Sequence, residues 1–91
     1  MASIHIQRNH TLGRDGARRA VEDVAAQMRQ KLDLTYNWSG DVLYFRRSGA
    51  EGQIEVDDRS VTVKVELSGI ASMLKGSIEQ QIKGFLDQRI R

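Results

Sequence analysis

The chain lacks cysteine, and this single absence excludes several classes of chemistry. Disulfide bonds, thiol catalysis and zinc sites built on cysteine all require that residue. A cysteine-free chain is compatible with a cytoplasmic location, which we expect. Proline is also absent, so no proline ring interrupts any helix or strand that the sequence predicts.

Long apolar runs and a strong charge of one sign are missing as well. No segment approaches the roughly 20 apolar residues that a membrane-spanning helix needs, and the N-terminus has no apolar core of a secretory signal. The net charge is only +2, from 14 basic and 12 acidic side chains. Because nucleic-acid-binding domains usually carry a stronger basic stripe, this balance argues against such a role. We expect a soluble protein with no membrane span.

The 91 residues, of which 40% are hydrophobic and 29% charged, predict a single α+β domain over residues 1–91. Alternating apolar residues at Ile4 and Ile6 predict an opening strand. An apolar stripe spaced by threes and fours then predicts a helix from about residue 12 to 32, with Thr11 as its N-cap.

Four further strands are predicted from alternating patterns at 34–38, 42–47, 53–56 and 61–67, with Leu43 and Phe45 facing the core. Turn residues separate them at 39–41, 48–51 and 57–59. Helical spacing returns from Ile70 to Ile90, with a bend or short break expected near residue 75. The predicted fold is a two-layer sandwich of strand, helix, four antiparallel strands and helix, with both helices on one face of the sheet.

Candidate chemical sites are weak in this sequence. His5 and His10 have no converging partners for a metal, so we interpret them as surface or partly packed imidazoles. The adjacent acids Asp57-Asp58 are typical of a solvated turn, and no G-x-S-x-G nucleophile elbow occurs. The Gly-x-x-Gly that begins at Gly49 leads into a strand, which favours a hairpin turn over a phosphate loop. We therefore predict no enzyme, no catalytic residue, no cofactor and no metal.

The C-terminal helical pattern carries an apolar stripe wide enough to suggest self-association or binding to an apolar surface. The alternative is a C-terminal helix that is well buried within the single chain. The strand edges together with the stripe are also compatible with a homodimer. Aromatic and basic residues near the central turns remain open as surface contacts. The candidate interaction surface comprises Met73, Leu74, Phe85, Leu86, Ile90, Trp38, Tyr44 and Arg46.

The centre of the chain reads W-x-G-D-x-L-x-F from Trp38 to Phe45, then R-x-G-x-x-G-x-I-x-V from Arg47 to Val56. With the I-H-I opening at Ile4 and the H-x-L-G entry at His10, this pattern resembles a small bacterial family, the polyhydroxyalkanoic acid system proteins. The resemblance implies an association with the genes for polyester storage granules. It carries over no catalytic residue.

The wide stripe and the resemblance together predict a non-enzymatic accessory protein of the polyhydroxyalkanoate storage system, which binds a granule surface, a granule protein or itself. One alternative is a carrier of a small hydrophobic, acyl-type ligand in a short helix-grip-like cavity of about 300 Å³. A further alternative is a nucleic-acid-binding regulator. That role would require the basic residues of the helix and the central strands to gather on one face, namely Arg14, Arg18, Arg19, Arg46 and Arg47.

Overall fold

A computed structural model describes residues 2–90 and places five strands and three helices within them. The elements follow one another as β1 (Ala2–Asn9), α1 (Gly13–Leu32), β2 (Thr35–Ser39), β3 (Val42–Arg47), β4 (Ala50–Val56), β5 (Ser60–Leu67), α2 (Ile70–Met73) and α3 (Lys75–Arg89). The predicted α+β fold and its order of elements are confirmed.

The five strands form one sheet in the order β1-β5-β4-β3-β2, and every neighbouring pair is antiparallel. The opening strand β1 pairs with β5 along its whole length, from Ala2 opposite Leu67 to Asn9 opposite Ser60. Strands β1 and β2 are the two edges, so helix α1, which joins them, crosses from one edge of the sheet to the other.

The core lies between one face of the sheet and the helices α1 and α3. Strand register aligns the inward side chains in rows across the sheet. One row contains Trp38, Leu43, Ile54, Val63 and Ile6. The next contains Tyr36, Phe45, Gly52, Val65 and Ile4. The helices cover these rows with buried apolar side chains from their inward faces, including Ala17, Val21, Val24 and Met28 of α1 and Ile82, Phe85 and Leu86 of α3. The core positions predicted for Leu43 and Phe45 are confirmed.

The start of helix α1 differs from the prediction. Its N-cap is Leu12, with no side-chain capping hydrogen bond, so the assignment of Thr11 was wrong. Instead, the Leu12 N–H donates to Nδ1 of His10 at 3.1 Å, and Nε2 of the same ring lies 3.0 Å from the carbonyl oxygen of Asp57. This pairing fits a neutral imidazole with its proton on Nε2.

His10 is only 6% exposed, so the prediction of a surface or partly packed imidazole was wrong for this residue. Its backbone N–H also donates to the carbonyl oxygen of Arg59. The ring therefore joins the β1–α1 connection to the β4–β5 turn. Sequence spacing could not indicate this, because the ring's partners are backbone groups distant along the chain.

Gly52 lies within strand β4, whereas the sequence placed it at the end of a turn. The turn before β4 consists of Ser48 and Gly49, and Gly49 has a φ of 83°. Strand β4 therefore begins at Ala50, three residues before the predicted start. A Cβ atom on Gly52 would lie 2.6 Å from Cζ of Phe45 and 2.6 Å from the backbone oxygen of Lys64. Glycine is required there because the Phe45 ring lies against the strand.

The break expected near residue 75 is present. Helix α2 ends at Met73 and α3 begins at Lys75, with Leu74 between them at φ −101° and ψ 17°. The Leu74 N–H donates to the carbonyl oxygen of Ala71, which closes the single turn of α2. The C-terminal helical pattern therefore forms two helices with different surroundings.

Candidate interaction site

Helix α2 exposes an unusual concentration of apolar side chains. Ile70 is 79% exposed, Met73 83% and Leu74, immediately after the helix, 52%. We call these three residues the α2 cluster. The small side chain of Ala71, by contrast, packs against the core. The single helical turn thus directs one small apolar residue inward and leaves three large ones in contact with solvent.

A groove of about 290 Å³ opens beside the α2 cluster. Buried side chains from α1, the α1–β2 connection, the sheet and α3 form its interior, namely Met28, Leu34, Phe45, Val65 and Ile82. Exposed residues surround its opening, namely Arg47, Ser48, Ile70, Leu74, Ser77 and Gln81. We call this cavity the α2 groove. Its size and apolar interior fall at the lower end of the range for sites that bind small apolar ligands.

Strand β4 contributes one small residue, Ala50, to the wall of the α2 groove. The inward residues of β4 are Ala50, Gly52, Ile54 and Val56. Ala50 lines the groove, and Gly52 allows the Phe45 ring, which also lines the groove, to lie down on the sheet. The space that larger side chains would fill therefore stays open beneath α2.

Arg47 brings a positive charge to this opening. It ends strand β3 directly opposite Ala50, and its Nη1 donates to the carbonyl oxygen of Leu32. The ion pairs found among residues 2–90 do not include Arg47. A guanidinium has five N–H donors, so most of the donors of Arg47 remain available to a bound group.

Trp38, a predicted surface contact, is half-buried and tied to helix α1. Its Nε1–H donates to Glu22 at 2.9 Å, and the other carboxylate oxygen of Glu22 accepts the hydroxyl proton of Tyr36. That hydrogen bond, assisted by burial and by the negative charge of Glu22, raises the pKa of Tyr36 above its ordinary value of 10.0. The guanidinium carbon of Arg18 lies 4.7 Å from the centre of the Trp38 ring. This group therefore joins the edge strand β2 to α1.

Tyr44 and Arg46 lie on the outer face of the sheet, away from the helices, and both are exposed. Arg46 pairs with Glu51 at 3.0 Å. On the same face Lys64 pairs with Glu55 at 3.0 Å, and the hydrogen bond from Lys64 lowers the pKa of Glu55, with a further contribution from Gln53. The outer face thus carries paired charges of both signs, as expected for a solvated sheet surface.

The arginines named as a potential nucleic-acid site are dispersed. Arg14 of α1 pairs with Asp41 at 3.1 Å and with Asp58 at 3.0 Å, so acids balance its charge. Arg46 and Arg47 point to opposite sides of the sheet because they are neighbours in one strand. In the part of the chain described here, these residues do not gather on one basic face.

The structure divides the predicted interaction surface. Met73 and Leu74 are exposed in the α2 cluster, whereas Phe85, Leu86 and Ile90 are buried in the core. In the single chain, α3 therefore corresponds to the alternative of a well-buried helix. Within the C-terminal helical pattern, the large exposed apolar residues are those of the α2 cluster. The sequence interpretation offered a cavity of this size only as an alternative, and it did not predict where the α2 groove lies. The signal for its position was the small residue Ala50, which a correct boundary of β4 would have placed on the inward face.

Residues 2–90 contain neither a metal-binding cluster nor a membrane-spanning helix. No three His, Asp or Glu side chains there converge so as to hold a metal ion. No helix in that range combines the length and apolar character needed to cross a bilayer.

Comparison with known families decides where this fold belongs. The family model described as "Putative polyhydroxyalkanoic acid system protein" matches residues 4–90. The chain belongs to this family. The match begins within β1 and ends at the residue after α3, so it covers strands β2 to β5 and all three described helices completely. Neither the curated proteins nor the solved structures that were searched gave a match.

Proposed function

We propose that this polyhydroxyalkanoic acid system protein is a non-enzymatic, cytoplasmic accessory protein that attaches to polyester storage granules through the α2 cluster. The observation that carries the proposal is the position of the exposed apolar side chains. Of the five large exposed ones among residues 2–90, three are Ile70, Met73 and Leu74. A polyester granule offers an apolar surface that would cover them.

The expected attachment is weak and reversible. Moving a fully exposed Ile, Leu or Met side chain out of water contributes about 1.5–3 kcal/mol. Three such side chains would contribute several kcal/mol, and the loss of translational and rotational freedom offsets part of this gain. A protein attached in this way would exchange between the granule surface and solution.

Apolar contacts also distinguish this attachment from ionic adhesion. The net charge of +2 is small, and the outer face carries paired charges. Salt screens interactions between exposed charges but does not weaken apolar burial in the same way. Attachment through the α2 cluster should therefore persist at high salt.

Co-sedimentation with purified granules tests the proposal. The double variant Ile70→Ser/Met73→Ser removes most of the α2 cluster, and Tyr44→Ser is the matched control because it removes an exposed apolar residue from the opposite face. We expect the double variant to reduce the bound fraction at least tenfold and Tyr44→Ser to leave it unchanged. Circular dichroism should show that both variants are folded. Equal binding by both variants, or a loss with Tyr44→Ser alone, would contradict the proposal.

The same variants separate the polymer surface from other partners. Granules reconstituted from polymer alone should bind as well as native granules if the polymer is the contact. Binding restricted to native granules would transfer the contact to a granule protein. A dimer in sedimentation velocity that the double variant dissociates would instead identify a second copy of the chain as the occupant of the α2 cluster.

A further inference from the structure

The α2 groove has an apolar interior and a single defined charge at its opening. Phe45, Val65 and Ile82 are buried within it, and Ala50 is too small to fill the space above its end of β4. A ligand that fits must therefore present hydrocarbon to the interior. Unlike the flat α2 cluster, a groove bounded by α1, the sheet and α3 can surround such a ligand on several sides.

The volume of the α2 groove sets the length of that hydrocarbon. Its volume of about 290 Å³ lies at the lower end of the range for small-ligand sites, which favours a medium hydrocarbon chain, on the order of eight to ten carbons. Hexadecanoate would extend well beyond the opening, and hexanoate would leave much of the interior empty.

Arg47 determines which head group a ligand of the α2 groove should carry. Its guanidinium is positioned at the opening by the hydrogen bond to the Leu32 carbonyl, and no ion pair with a carboxylate was found for it among residues 2–90. A planar guanidinium binds a carboxylate through two parallel N–H···O hydrogen bonds. Its neighbour Arg46 already pairs with Glu51 and lies on the other side of the sheet. Arg47 is thus the arginine suited to an anionic ligand.

We propose that the α2 groove binds a medium-chain alkanoate, with its hydrocarbon chain along Phe45 and its carboxylate on Arg47. One extension of this proposal rests on the proposed function. Because storage polyesters are built from hydroxy acids, 3-hydroxyalkanoates of the same length should bind as well. Ile70 and Leu74 belong to both the α2 cluster and the rim of the α2 groove. The ligand would therefore enter beside the surface that attaches to the granule.

Isothermal titration calorimetry with decanoate, 3-hydroxydecanoate and the neutral decan-1-ol tests this site. The variant Ala50→Phe fills the groove from the strand beneath it, and Thr35→Phe places the same ring on an exposed strand position. Arg47→Gln removes the proposed partner of the carboxylate, and Arg46→Gln is its matched control on the adjacent residue.

We expect both acids to bind the native chain, with affinity rising from hexanoate to decanoate and falling at hexadecanoate. Ala50→Phe should abolish binding of all three probes, and Thr35→Phe should leave it unchanged. Arg47→Gln should weaken binding of the acids about tenfold, since one hydrogen-bonded charge is lost. The same variant should leave binding of decan-1-ol unchanged. Arg46→Gln should change neither the binding of the acids nor that of decan-1-ol.

Several results would overturn the inference. No binding of decanoate to the native chain at millimolar concentration would remove the site, and equal binding by Ala50→Phe and Thr35→Phe would locate it elsewhere. Equal losses with Arg46→Gln and Arg47→Gln, or a loss of decan-1-ol binding in folded Arg47→Gln, would refute the carboxylate assignment. Granule co-sedimentation of the same proteins separates the two proposals. Retained granule binding without decanoate binding refutes this inference alone, and the reverse pattern refutes the proposed granule attachment alone.

Discussion

The two ends of the inward face of strand β4 differ sharply. At one end, Ile54 and Val56 are buried among large side chains from both neighbouring strands. We call this the closed end. At the other end, the Phe45 ring lies on Gly52, and the small Ala50 leaves the α2 groove unfilled beneath a helix of one turn. We call this the open end. The inward face of β4 is therefore close-packed at one end and borders an open groove at the other.

This difference separates stability from interaction. Core packing lowers the free energy of the folded state only where side chains fill the available volume, because an unfilled space forfeits dispersion contacts. The closed end meets this condition. The open end retains exposed apolar residues and a groove, features that reduce stability unless another molecule covers or fills them. We infer that the closed end maintains the fold and that the open end is the part specialised for contact.

The largest expected effect comes from truncating matched apolar residues at the two ends. Ile54→Ala leaves a cavity at a fully buried position, so we expect a loss of about 2–5 kcal/mol in the free energy of unfolding. Met73→Ala at the open end should change it by no more than about 0.5 kcal/mol, because the residue is exposed. Urea denaturation of both variants measures the difference. Equal losses would show that α2 packs into the core in solution and would refute the comparison.

The next effect concerns the glycine that accommodates the Phe45 ring at the open end. In Gly52→Ala, the new Cβ would lie 2.6 Å from the backbone oxygen of Lys64 and from the Phe45 ring, so the ring must move. Overpacking of this kind typically costs about 1–3 kcal/mol. Gly84→Ala in α3 is the control, because nothing lies within 4 Å of its new Cβ and alanine favours a helix. Thermal unfolding should show a lower midpoint for Gly52→Ala and an unchanged or higher one for Gly84→Ala. A stabilised Gly52→Ala would mean that the Phe45 ring does not lie on the strand.

A smaller effect is expected where Glu22 ties β2 to α1. Trp38 stands in the same cross-strand row as Ile54, and Tyr36 in the same row as Gly52, so this carboxylate links the edges of both regions. Glu22→Ala should reduce the free energy of unfolding by about 1–2 kcal/mol, because two hydrogen bonds are lost and each typically contributes about 0.5–1.5 kcal/mol. Asp23→Ala, on the exposed side of the same helix, should change it much less.

The ionisation of Tyr36 reports the same contact. Its pKa is raised in the folded chain, so the protonated hydroxyl contributes stability that is fully present below pH 10 and lost as the pH rises through the folded pKa. Glu22→Gln should shift the ultraviolet titration of Tyr36 to lower pH, with Tyr44→Phe as background to remove the second tyrosine. An unchanged titration would indicate that Glu22 and Tyr36 are not in contact in solution.

Sequence reasoning reached the sheet because its strands alternate strictly in polarity. Val61, Val63, Val65 and Leu67 indicate both the strand and its buried face, and the helix break near residue 75 was likewise expected. The start of β4 was missed because Ala50 and Gly52 have low strand propensity, and only the opposing Phe45 ring explains the glycine. The position of the groove was missed because Ala50, which lines it, was assigned to a turn. Burial of Phe85, Leu86 and Ile90 depends on how α3 packs on α1 and β1, which periodicity does not determine.

The smallest effect is expected on the outer face, behind both ends of β4. Hydrogen bonds from Lys64 and Gln53 lower the pKa of Glu55, so its ionised form contributes stability above the ordinary value of 4.5, and this contribution is lost as the pH falls through the folded pKa. Because both partners are substantially exposed, Lys64→Met should cost only about 0.2–1 kcal/mol at neutral pH. In that variant, a carboxyl NMR titration should show the pKa of Glu55 moving back toward its ordinary value. Lys75→Met, which removes an exposed lysine outside the ion pairs found among residues 2–90, should leave that pKa unchanged. A loss as large as that of Ile54→Ala would instead place the outer face among the stabilising parts of the molecule, and the contrast between closed and open ends would no longer account for its stability.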